Sequence, residues 1–169
     1  VLLALSWFCF VTEVEMKALK TLLLLIAVSA SAWAAGTPTL AGTWVFKADK
    51  SKGVGMMSAV GITAVITQNG SVIKIHEISD SRGQQQTHDN TYDAAGSPKT
   101  NESPMGDSSS TVSRWEDGKL VTTWTSPGAV AGTTSVRTET RSLSADGKTM
   151  TVEWSRDGKT GMVMVFERQ

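Results

Sequence analysis

A chain of 169 residues has room for one domain and too little for two with separate cores. Its 16 lysines and arginines balance 16 aspartates and glutamates, and the absence of a basic run excludes the clustered positive charge that nucleic-acid phosphates demand. A single cysteine excludes a disulfide framework and a multi-cysteine zinc site, while 40% apolar residues and 15 glycines describe a folded chain with many turns.

The first 35 residues differ from the rest. Met16-Lys17-Ala18-Leu19-Lys20 is a short positive stretch, Thr21 to Val28 is apolar with four consecutive leucines, and Ser29 to Ala35 is mostly small residues. That order predicts a secretory signal peptide over residues 16–34, cut after Ala34 or, as an alternative, after Ala32. The 15 residues from Thr21 to Ala35 fall short of the span a bilayer needs, about 20, so no stable membrane span is expected after cleavage. Residues 1–15 read as a mis-assigned upstream extension with Met16 as the start, because acidic Glu13 and Glu15 immediately before the basic region are unusual for a signal peptide. Cys9 falls in that extension, and Ser6-Trp7-Phe8-Cys9 is no lipoprotein cleavage box. The expectation is a domain over 35–169 in a periplasmic or extracellular compartment, stable without disulfides.

After Ala35 the chain shows short segments rich in Val, Ile, Thr and Trp, punctuated by Asn69-Gly70, Asp117-Gly118, Asp146-Gly147 and Asp157-Gly158. Such pairs take the left-handed conformations of tight hairpins. Two-residue turns there predict registers. Ile66 faces Ile73, Ala64 faces Ile75, Thr67 faces Val72 and His76 faces Thr63 in the first hairpin. Trp115 faces Leu120 and Thr111 faces Trp124 in the second. Leu143 faces Met150 and Arg141 faces Val152 in the third, and Met150 faces Val165, Val152 faces Val163 and Trp154 faces Gly161 in the last. Leu143, Met150 and Val165 thereby form one apolar row.

Strands are predicted near 42–48, 61–68, 71–79, 84–93, 108–116, 119–126, 134–144, 148–156 and 161–168, with a helical turn within Lys50 to Met57. Ala94 to Asp107 reads as a loop or a frayed pair. Eight or nine antiparallel strands in sequential up-and-down order leave a closed barrel or an open sandwich. Short hairpins at nearly every connection favour the barrel, which removes exposed edges.

Gly42-Thr43-Trp44 carries the Gly-x-Trp pattern that opens the first strand of lipocalins, and the run continues through Asp49-Lys50-Ser51-Lys52. With the ending Ser142 to Thr151 and the final Phe166-Glu167-Arg168, the chain resembles small exported bacterial proteins of lipocalin-like type. The resemblance implies an all-β barrel with a cavity for a small hydrophobic or amphipathic molecule and a basic residue late in the barrel packed over the first tryptophan; no cofactor is expected. Arg168 is the positional match for that residue, although the register above sets it in phase with Met164 and Phe166 and out of phase with Val165.

Trp115, Trp124 and Trp154, with Trp44 and Met150, either fill the core or line that pocket. If Leu143 points inward, so do Arg141, Glu139 and Arg137. Charges inside a barrel must be paired or solvated, so this trio is either a structural set or a cationic spot for a carboxylate or phosphate head. His76 and His88 are the candidate bases for an enzyme. His88, Asp89 and Asp93 do not share a strand face, and no metal is expected. The sequence therefore predicts an exported carrier. Its rivals are an envelope module with a filled barrel, binding through Ala94 to Asp107, and an enzyme at the barrel mouth; no oligomeric state is assigned.

Overall fold

A computed structural model describes residues 38–103, 106 and 108–169. The upstream extension with Cys9, the signal peptide and its cleavage position lie outside the described residues. Ten strands run in chain order: β1 (Gly42–Phe46), β2 (Gly61–Asn69), β3 (Val72–Ser81), β4 (Gln84–Asp93), β5 (Lys99–Glu102), β6 (Ser108–Glu116), β7 (Lys119–Pro127), β8 (Thr134–Leu143), β9 (Thr149–Arg156) and β10 (Lys159–Arg168). They form one antiparallel sheet in the order β4-β3-β2-β1-β10-β9-β8-β7-β6-β5. The first strand pairs with the last, so the meander wraps into a nearly closed barrel whose two free edges, β4 and β5, meet. The segment expected to contain a helical turn, Lys50 to Met57, overlaps the ends of two 3-10 turns, Ala48–Lys50 and Gly55–Ala59.

The count is ten strands because β5 falls inside the stretch expected as a loop or a frayed pair. Its four residues, Lys99-Thr100-Asn101-Glu102, carry no apolar alternation, and the buried one is an asparagine.

Asp117-Gly118 and Asp157-Gly158 are two-residue turns with positive φ at both positions (47° and 75°; 52° and 73°), as a type I′ hairpin requires. Trp115 faces Leu120, Thr111 faces Trp124, Leu143 faces Met150 and Arg141 faces Val152, all as expected. The β2–β3 register is displaced by two residues: Ile66 faces Ile75, Gln68 faces Ile73 and His76 faces Val65. The turn residues there are Gly70 and Ser71, with positive φ at Gly70 (59°), because a II′ turn wants glycine in its first central position. A slip of two leaves every side chain on its expected face.

In β10 the register changes by one. Thr160 faces Ser155, but Met162 faces Trp154, Met164 faces Val152 and Phe166 faces Met150. Gly161 is the extra residue of a β-bulge, a common use of glycine within a strand. The bulge reverses the face of everything after it, so Val165 lies opposite Thr151 on the outer face. Phe166 takes the place in the apolar row that the unbulged register assigned to Val165. Leu40, Trp44, Phe46, Ile66, Ile73, Leu120, Met150, Met164 and Phe166 are among the buried residues of the single core inside the barrel.

The same bulge settles the end of the barrel. Arg168 pairs with Trp44, its guanidinium carbon stands 4.3 Å from the indole centroid, and its Nε donates to Gly147 O at 2.9 Å. A second guanidinium nitrogen donates to Ala41 O, and Trp44 Nε1 donates to Leu40 O at 2.8 Å. Gly42 makes room for this: its φ is +141°, and a Cβ there would stand 2.5 Å from Arg168 Nη1.

Where β4 meets β5, asparagine side chains replace a backbone ladder. Thr91 N donates to Asn101 Oδ1 and Asn101 Nδ2 donates to Thr91 O, each at 2.9 Å. Reciprocally, Glu102 N donates to Asn90 Oδ1 at 3.0 Å and Asn90 Nδ2 donates to Glu102 O at 2.9 Å. Each primary amide presents one donor and one acceptor in the geometry of a peptide group.

Gly42→Ala should lower stability by about 1–3 kcal/mol, through a strained φ and a displaced Arg168, read as a shift in denaturant midpoint. Asn101→Ala strands the Thr91 amide and should cost about 1–3 kcal/mol. Faster hydrogen exchange at Thr91 than in the unaltered chain checks this directly.

Candidate functional site

The interior is not uniformly apolar. In β8, Glu139 pairs with Trp154 and Arg141 with Val152, so the strand's inward phase carries charge into the core. Glu139 is completely buried, and Arg141 is 9% exposed. The two side chains form an ion pair, and the Arg141 guanidinium carbon lies 4.9 Å from the Tyr92 ring centroid. A guanidinium stays protonated in any protein environment, so Glu139 is the counter-ion that makes its burial tolerable. Burial pushes the Glu139 carboxyl above the ordinary carboxylate range, with Arg141 and then the nearby Trp124 pulling the other way. Burial also raises the Tyr92 phenol, against the pull of Arg141.

Glu77 comes in on β3, in phase with Ile73 and Ile75 and opposite His88 on β4. Burial raises its carboxyl above the usual value, opposed by Arg141 and His88. Two internal chambers of about 40 Å³ each adjoin this group. The polar one is walled by Glu77, His88, Asn90, Tyr92, Trp124, Glu139 and Arg141. The apolar one is walled by Met57, Ala64, Ile66, Met150, Val152, Met164 and Phe166. Ile75, Glu77, Arg141 and Trp154 face both. On the scale of about 10–15 Å³ per water, each chamber holds about three.

The structure thus brings together five of the seven expected site residues. Trp124 and Glu139 line the polar chamber, Met150 the apolar one, and Trp154 and Arg141 both. Arg137 lies toward the mouth, its guanidinium carbon 5.7 Å from the Trp154 centroid, in an open cleft beside the 127–134 connection with Arg156. Trp115 is half-buried against the core and lines neither chamber. The aromatic walls are mutually packed: Tyr92 meets Trp124 edge-on with centroids 6.1 Å apart, and Trp124 meets Trp154 at 5.3 Å.

Sequence reasoning passed over Glu77, Tyr92 and Met57. The signal for Glu77 was present, since it lies two residues beyond Ile75 on a strand whose inward phase was read correctly. The two histidines occupy opposite faces. His76 Nδ1 lies 2.8 Å from Asp89 Oδ1 on the outer surface, and His88 Nδ1 lies 3.4 Å from Glu102 Oε2 beside the polar chamber. Asp93 accepts from the Ala95 amide at 3.0 Å, away from both. Among the described residues no three of the His, Cys, Asp or Glu side chains gather as metal ligands.

A carboxyl whose folded-state pKa is raised holds its proton more tightly in the native chain. Stability is therefore lost as pH climbs from near 4.5, the ordinary value, through the raised one. Glu77→Gln removes that penalty. The variant should match the wild type at about pH 4 and be the more stable at about pH 7, by denaturant unfolding; an equal difference at both would contradict the assignment.

No family model matches the chain, and no curated protein is similar to it. Solved structures are. Human cRBP IV is 17% identical with a TM-score of 0.58, over 78% of this chain and 99% of that one. Apo lipid binding protein 8 of Caenorhabditis elegans is 13% identical with a TM-score of 0.57, over 76% and 94%. The Schistosoma mansoni fatty acid binding protein in complex with arachidonic acid is 15% identical with a TM-score of 0.56, over 79% and 98%. What the chain shares with these proteins is the antiparallel β-barrel fold.

Proposed function

We propose that the chain is a binder or carrier of a small hydrophobic or amphipathic molecule held inside the barrel. The observation that carries this is the pair of adjoining chambers, one polar and one apolar, with Glu77 and Arg141 between them. A barrel that served only as a scaffold gains little from a buried ion pair, because apolar residues of the same volume stabilise at least as well. Charged groups beside an internal chamber are instead what orients a ligand's polar end. Two of the similar structures belong to proteins named for binding lipid or fatty acid, which supports the reading. The Met16–Ala34 segment extends it to an exported carrier.

Affinity would come from burying ligand surface against methyl, thioether and indole groups, at about 25 cal/mol per Å². A ligand larger than the chambers displaces Met57. That residue sits on the Gly55–Ala59 turn, none of whose residues is buried, and few apolar contacts make such a segment cheap to move. Methionine is also the most adaptable of apolar side chains.

The size of the chambers favours a second reading, an envelope structural or interaction module whose barrel is filled. An apolar fluorescent dye separates the two. A carrier should bind it saturably at one site with quenching of tryptophan emission, and Trp154→Ala should weaken binding about tenfold, as loss of a buried aromatic contact does. A filled barrel leaves tryptophan emission unchanged at any dye concentration.

A further inference from the structure

We infer that the interior selects an amphiphile whose polar end is a protonated primary amine, with a short unbranched alkyl tail; the inference rests on the carrier reading and specifies its ligand. The polar chamber is lined by the carboxyl groups of Glu77, Glu102 and Glu139 and by a single arginine, Arg141. Arg141 is engaged by Glu139 and lies over the ring of Tyr92, and Arg137 stands outside in the mouth cleft. Glu77 has no hydrogen-bond or ion-pair partner among the described residues. The Glu139 carboxyl is fully buried, and its polar neighbours there are the Arg141 guanidinium and the Trp124 indole. Two carboxyl groups, Glu77 and Glu139, therefore face one interior space beside a single guanidinium.

A carboxylate entering that space meets Glu77 and Glu139 at close range, with its one available guanidinium already paired. Like charges at such distances in a poorly screened interior repel strongly. An ammonium group brings the opposite sign and three donors, and its charge favours the ionised form of Glu77. The aromatic walls add to the preference, since ring faces attract cations. Space agrees as well. A chamber of about 40 Å³ accepts an ammonium group, and the adjoining chamber, walled by Ala64, Ile66, Val152, Met164 and Phe166, accepts a short hydrocarbon tail.

The test compares three probes of equal length, n-hexylamine, 1-hexanol and hexanoate, each displacing the apolar dye from the full chain at neutral pH. The amine should bind at least about tenfold more tightly than hexanoate, the ratio that one charge-assisted hydrogen bond supplies. Glu77→Gln should weaken the amine about tenfold and leave the alcohol within about threefold. The comparison of heads on the unaltered chain stands whether or not the variant folds. Hexanoate binding as tightly as the amine, or tighter, overturns the inference, and so does equal binding of all three heads; in both cases the carrier reading survives. A chain that binds neither dye nor any probe saturably overturns the carrier reading and the inference together.

Discussion

A guanidinium cannot discard its proton, so placing Arg141 in the core obliges the barrel to supply an opposite charge at contact distance. Glu139 does so from the same strand face, two residues earlier. Much of the interior follows from that requirement. Tyr92 turns its ring to the cation, Trp124 and Trp154 close over the carboxylate side, and the apolar residues of β1, β2, β9 and β10 occupy the remainder. Buried serine and threonine side chains line part of β6 and β7, with Ser113 and Thr122 hydrogen-bonded to each other at 2.9 Å. The result is an interior divided by chemistry.

The fold was legible where turn and strand obey the same local rule. Asp117-Gly118 set its register correctly because it is itself the two-residue turn, while Asp146-Gly147 gave the right register although the connection runs from Ser144 to Lys148, with Gly147 N donating to Ser144 O at 2.9 Å. Asn69-Gly70 misled by two residues, since Gly70 takes the first turn position, which a II′ turn reserves for glycine, and Asn69 is left as the last strand residue. The bulge at Gly161 was invisible to a two-residue count, and it decides the face of the whole final strand. A glycine inside an otherwise branched and apolar run was the available sign. β5 left no sign, because its inward residue bonds by its amide and not by burying hydrocarbon.

The site was legible to the extent that phase could be carried along a strand. Leu143 fixed the direction of Arg141, Glu139 and Arg137, and the structure agrees for the first two as buried groups. Phase does not say how far along the barrel a residue sits, which is why Arg137 reaches the mouth instead of the chamber. Trp115 had the right face and the wrong height, near the 117–118 turn. Glu77 was missed for a different reason: its inward phase followed from Ile73 and Ile75, but an isolated acid in an alternating strand reads as solvent-facing. Phase likewise put His76 on the outer surface, where its partner is Asp89.

The junction of β4 with β5 bears on how the molecule keeps to itself. A sheet with two free margins offers rows of unmet amide and carbonyl groups, and such margins template intermolecular pairing and fibril growth. Here Asn90 and Asn101 occupy those positions from within. A foreign strand would have to evict four satisfied bonds before making any of its own. Two side-chain amides thereby close the seam at the point where the two margins meet, and that seam depends on the chemical integrity of two asparagines.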